Sequence, residues 1–150
     1  MAKVRLTKNE LKKQKDALKR FQQYLPTLML KKQQLQSEIL KLHREMEKLK
    51  QEKAFIKARD YKWVDVFAEK TDPEIKELVK LEKIETETGN IAGIDIPVFS
   101  GIKFKEEEYD LFSTPLWIDS GIEALKDMMR VNAKMEVLKR QDALVREELR

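Results

Sequence analysis

The chain has 150 residues, no cysteine, 39% charged residues and only 7% aromatic ones. A length of this order holds one domain, the missing cysteine excludes a disulfide framework and thiolate chemistry, and so high a charge content suits long solvated helices better than a thick core. The net charge of +4 is unevenly spread: residues 1–57 carry sixteen Lys and Arg against six Asp and Glu, residues 58–119 eight against fifteen, and residues 120–150 seven against six.

Thr7-Lys8-Asn9-Glu10 reads as a capping box, so a first helix starts near residue 8. A seven-residue ruler then runs through Leu11, Leu18, Phe21, Leu25, Leu28, Leu35, Ile39, Leu42, Met46, Leu49 and Ile56; Gln14, Lys32 and Lys53 occupy the remaining seats. So narrow a stripe needs another helix alongside, and these eleven residues are expected to form a coiled-coil seam. At about 1.5 Å per residue the rod is roughly 70 Å long. Pro26 removes a backbone bond inside it and faces outward from the seam, which predicts a bend. A weaker helical face through Tyr61, Trp63, Val64 and Phe67 extends the first helix over residues 8–70.

Asp72-Pro73-Glu74 signals a short helix ending near Lys80. Glu85-Thr86-Glu87-Thr88 reads as a strand entering a turn at Gly89-Asn90. Ile94, Ile96 and Val98 alternate at strand spacing, and Pro97 restricts that strand to an edge or a two-stranded hairpin. The expected middle unit, residues 71–119, is thus a short helix plus a β-hairpin, standing as a knob at the turn. Ser120-Gly121-Ile122-Glu123 reads as a second capping box opening a helix over residues 120–150. Its apolar spacing runs through Met128, Val131, Met135, Leu138 and Val145 and is still in stride at Arg150, as in a truncated chain. The predicted fold is mostly α: a long antiparallel two-helix coiled coil with a short helix and a β-hairpin in the middle segment. The first stripe is about twenty residues longer than its mate.

Few residues point to chemistry. His43 is the single histidine and has no convergent partners in sequence, so a solvated helix position is expected. Glu106-Glu107-Glu108-Tyr109-Asp110 lacks the spacing and glycine of a calcium loop. No Gly-rich phosphate cradle is present. No catalytic, cofactor-binding or metal-binding residue is therefore assigned. The eight basic residues from Lys3 to Arg20 raise nucleic acid, but the apolar seam already runs through Leu11 and Leu18, and no arginine-dense base-reading cluster is present. Trp63, Phe67 and Trp117 read as knob core or a docking patch. Ile91, Ile94, Ile96, Val98 and Phe99 are candidate partner contacts, because a strand pair is too small to bury them all. No apolar run reaches the roughly 18 residues of a membrane span and no signal-peptide core opens the chain, so no direct membrane insertion and a cytoplasmic location are expected.

Leu6-Thr7-Lys8-Asn9-Glu10-Leu11, the block Asn90-Ile91-Ala92-Gly93-Ile94-Asp95-Ile96-Pro97-Val98-Phe99 and the second long helix together resemble the D subunit of the V-type and A-type ATPases. Tyr24-Leu25-Pro26-Thr27-Leu28 and Thr114-Pro115-Leu116-Trp117-Ile118-Asp119 resemble its bacterial branch, of the sort seen in chlamydiae and their relatives. The family's second helix continues to an Arg-Val-Asn block that Val131-Asn132 comes too early to be, which implies a missing C-terminal part that would mate the first stripe. The resemblance implies a non-catalytic central-stalk rotor, transmitting torque between ATP chemistry in a ring of A and B subunits and ion translocation in a membrane ring. It implies contacts with the F subunit and with the C (or d) subunit, and a place peripheral to the membrane. A generic coiled-coil tether or adaptor is the alternative, and a basic coiled-coil nucleic-acid binder a more distant one.

Overall fold

The computed structural model describes residues 7–61, 75–110, 112 and 114–150. Two long helices, α1 (Lys8–Tyr61) and α3 (Ile118–Leu149), run antiparallel, with a four-residue helix α2 (Ile75–Leu78) and two strands, β1 (Val79–Ile91) and β2 (Ile94–Glu106), between them in sequence. The chain is therefore mostly α, two long helices with an antiparallel β-hairpin. Trp63, Val64, Phe67 and the Asp72-Pro73-Glu74 helix start lie outside the described residues.

The amide of Glu10 donates to Thr7 Oγ1 at 3.2 Å, which satisfies one of the orphan donors at the start of α1. The carboxylate of Glu10 instead accepts from Gln14 Nε2 at 3.1 Å. The helix continues through Pro26. At the start of α3 the expected Ser120 cap is replaced. The helix begins at Ile118 with Trp117 in the cap position and no side-chain cap bond. The amide of Ile118 donates to the Pro115 carbonyl at 3.1 Å and that of Gly121 to the Trp117 carbonyl at 3.0 Å. A backbone turn thus satisfies these donors two residues early, and Asp119 supplies the acidic charge of the first turn.

The turn of the hairpin lies at Ala92–Gly93, not at Gly89-Asn90, which belong to β1. Both loop residues have positive φ, 52° and 86°, the backbone of a tight primed hairpin turn. Asn90 steadies it: its Oδ1 accepts from the Gly93 amide at 3.0 Å and its Nδ2 donates to Asp95 Oδ1 at 2.8 Å. Gly89 serves close packing instead, since a Cβ there would sit 2.7 Å from Val98 Cγ2. The register shifts twice, once between Leu81 and Lys83 and once between Glu85 and Thr86, so Glu82 on β1 and Ser100 on β2 are extra residues that increase the local twist.

The hairpin folds back along α3 rather than standing off the end of the helix pair. Its base packs Leu78 and Val79 with Ile118 and Ile122, flanked by Phe104, Tyr109, Leu125 and Met129. Its tip puts Ile96 into a second cluster with Leu35, Leu42 and Val145, against which Ile91, Ala92 and Ile94 also pack. Among the described residues the hairpin is thus seated in two buried clusters, one at each of its ends.

Candidate functional site

The informative surface is the set of faces that α1, α3 and the hairpin present to each other and leave bare. Along α1, Leu35, Leu42 and Ile56 are buried, and Ile39, Met46 and Leu49 are half-buried. The same ruler N-terminal to these residues is bare: Leu11, Leu18, Phe21, Leu25 and Leu28 are each more than half exposed. The reason is geometric. The C-terminal end of α3 reaches α1 at Lys31, whose Nζ lies 2.5 Å from Glu148 Oε1. At the other end of the overlap Arg59 Nη2 lies 3.5 Å from Asp127 Oδ2. Those two ion pairs bracket the mated part of the stripe.

On α3, Val131 and Val145 are buried, and Met128, Met135 and Leu138 are half-buried. Sequence reasoning missed a second face of this helix. Lys126 Nζ lies 2.6 Å from Glu106 Oε1, the Arg130 guanidinium 5.7 Å from the Phe104 ring centroid, Lys134 Nζ 5.9 Å from the Phe99 ring centroid, and Gln141 Nε2 2.5 Å from the Pro97 carbonyl oxygen. These helix residues recur at intervals of four and seven, one face beside the apolar one, and each engages β2. The signal was a run of long polar side chains at helical spacing, which reads as solvated surface unless a strand lies over it.

The candidate partner contacts divide accordingly. Ile96 is only 4% exposed and acts as an anchor, Ile91, Ile94 and Phe99 are half-buried, and Val98 is 40% exposed. A groove of about 570 Å³ remains between α1 and the hairpin, floored by Leu49, Ile96 and Leu138 and edged by Glu45, Glu52 and Lys134.

His43 belongs to a polar clasp between the long helices. Arg146 Nη2 lies 2.7 Å from His43 Nε2, Asp142 Oδ1 lies 3.3 Å from the same ring nitrogen, and Arg146 Nε holds Asp142 Oδ2 at 2.7 Å. The acidic run that closes β2 and follows it acts as bracing. Glu106 pairs with Lys126, Glu107 lies 3.6 Å from Lys80 Nζ, and the Tyr109 hydroxyl hydrogen-bonds the Asp119 carboxylate. The Glu106 bond holds Lys126 above the ordinary lysine range, and the Asp119 bond together with burial raises Tyr109 above the ordinary phenol range. Across the hairpin Lys103 Nζ sits 2.7 Å from Glu85 Oε1, which lowers the Glu85 carboxyl and raises Lys103. Among the described residues no group of three or more His, Cys, Asp and Glu is placed to hold a metal, and no helix is long and apolar enough to cross a membrane.

Fold and contacts define a class: a two-helix coiled coil with a hairpin lying along α3 and packed at its tip against both helices. Comparison with known proteins places the chain within that class. Residues 10–150 match the model of the ATP synthase D-subunit family, and the chain belongs to that family. It is 42% identical over 148 residues to the V-type ATP synthase D subunit of Borreliella burgdorferi, covering 98% of this chain and 72% of the relative. It is 33% identical over 150 residues to the protein of the same name from Chlamydia caviae and 30% identical over 148 residues to that from Chlamydia pneumoniae, in each case covering 98% of this chain and 71% of the relative.

Proposed function

We propose that the chain is the central rotor shaft of a V-type ATP synthase, a non-catalytic subunit that carries torque between ATP chemistry in a ring of A and B subunits and ion movement in a membrane ring. The carrying observation is the mated stretch of α1 and α3, bracketed by Lys31–Glu148 and Arg59–Asp127. Two helices joined by buried seam residues resist twisting, which a torque-bearing element requires. Family membership and the names of the relatives supply the context. The charged outer surface suits a rod that turns inside a protein ring without adhering to it. The F and C (or d) subunits complete the proposed partners, and the location is cytoplasmic and peripheral to the membrane.

Within that reading the hairpin is the partner-specific element, because Val98, 40% exposed at the edge of the groove beside α1, leaves apolar surface open to a partner. Two measurements test the proposal. Co-expressed with A, B and F subunits, the tagged chain recovers them, and alone it hydrolyses no ATP. Recovery of nucleic acid with a steep salt dependence, and no ATPase subunits, overturns the reading in favour of a basic coiled-coil binder. Val98→Ser, which leaves the Ile96 anchor and the Pro97 carbonyl in place, is expected to preserve assembly while altering ATPase rate or coupling. An unchanged motor removes the hairpin's role.

A further inference from the structure

We infer that Gln141 and Lys126 are positioning residues that fix the axial height of the hairpin on α3, as a buried polar residue fixes register in a coiled coil. Apolar clusters at the two ends of the hairpin hold it by shape, and cation–π contacts are broad in direction, so neither supplies a directional bond to one level of the strand. A strand edge is different. It presents outward carbonyls only at every second residue, about 6.7 Å apart. Gln141 is 6% exposed and its amide reaches one of them, that of Pro97. The choice of that carbonyl follows from the backbone. In an antiparallel strand the N–H and C=O of one residue point to the same side, so a Pro97 carbonyl aimed at α3 means the missing proline N–H would also face α3. Proline is therefore tolerated at this position, pairing with Thr88 without loss to the ladder.

Lys126 is the second pin, at the base of the hairpin. Its side chain is 11% exposed and is gripped by Glu106 at 2.6 Å on β2 and by Glu123 at 3.4 Å on its own helix. The two pins engage opposite ends of β2, so they set tilt as well as height. An apolar residue at 141 would fill the same space without the directional bond to the Pro97 carbonyl. The functional consequence, that the outer residues of the hairpin are presented at one level, rests on the rotor-shaft reading above.

Because the chain has no cysteine, spin labels can be placed at will. With Thr86→Cys and Lys139→Cys labelled, both exposed, pulsed electron resonance on the intact chain is expected to give one narrow distance. Adding Gln141→Met, similar in volume but unable to donate, should broaden that distance or add a second component from hairpins shifted along the helix by about one carbonyl repeat, 6.7 Å. Gln141→Asn, too short to reach, should do the same and serves if the methionine variant loses helix by circular dichroism. Lys126→Met should broaden the distribution independently. An unchanged narrow distance in folded Gln141→Met and Gln141→Asn chains overturns the inference, whatever the motor does. A broadened distance with unchanged ATPase rate and coupling leaves the pin standing and overturns only the hairpin's role in the ring.

Discussion

Lys126 Nζ lies 2.6 Å from Glu106 Oε1, joining the inner face of α3 to the last residue of β2. The lysine is almost buried while the glutamate is largely exposed, so the pair is solvated from one side. Lys126 and Tyr109 both hold their protons more firmly folded than unfolded. The unfolded chain therefore releases these protons first, and the stability they contribute is present at neutral pH and lost as the pH rises through and above about 10. Circular-dichroism melts should show a midpoint that falls above that pH. A Lys126→Met, Tyr109→Phe double variant should flatten the fall, and an equally steep fall in the variant would refute the assignment.

The stripe on α1 is chemically continuous but energetically divided. Leu42 is 5% exposed, whereas Leu18 is 57% exposed. Leu42→Asp removes packing and buries a carboxylate without a partner, for an expected loss of at least about 3 kcal/mol. Leu18→Asp and the outward Gln33→Asp should each change stability by no more than about 0.5 kcal/mol. Urea titration followed by helicity separates them. Equal losses at Leu42 and Gln33 would mean that the seam is wrongly registered.

The bare half of that stripe makes a solution prediction. Leu11, Leu18, Phe21, Leu25 and Leu28 form an exposed apolar face on one side of a helix. Faces of this kind associate in water. Sedimentation velocity on this 150-residue chain should reveal concentration-dependent self-association, weakened by a combined Leu18→Lys, Leu25→Lys change. A monomer at every concentration tested would show that solvation of the face is tolerated.

Ala92 holds φ at 52°, a conformation that costs an alanine about 1 kcal/mol. Ala92→Asn, which creates the Asn-Gly pair favoured in this turn, should raise the melting midpoint, by up to about 1 kcal/mol of added stability. Gly93→Ala should lower it, because a Cβ there meets open space but the backbone at φ 86° opposes it.

The long helices were legible because their signals are local and repeat: Thr7 before Glu10, then apolar residues every three or four. The turn was misplaced because Gly89 looked like punctuation, while its actual use is to admit Val98 and the positive φ fell on an alanine. The Ser120 cap failed for a related reason, since a preceding backbone turn at Pro115 had already supplied the acceptor. The face of Lys126, Arg130, Lys134 and Gln141 stayed hidden because its partners lie some twenty to forty-four residues away in β2. Whether a lysine is surface or core there depends on a strand that periodicity cannot place.

Because α3 meets α1 on one side and β2 on the next, the two long helices should differ in mutational tolerance. From Lys126 to Val145, two adjacent stripes of α3 answer to separate neighbours, so a change suiting one seam is constrained by the other. A saturation scan scored for folding should find the first twenty-odd residues of α1 permissive and this stretch of α3 intolerant in two interleaved registers, with its polar members as resistant to replacement as its valines.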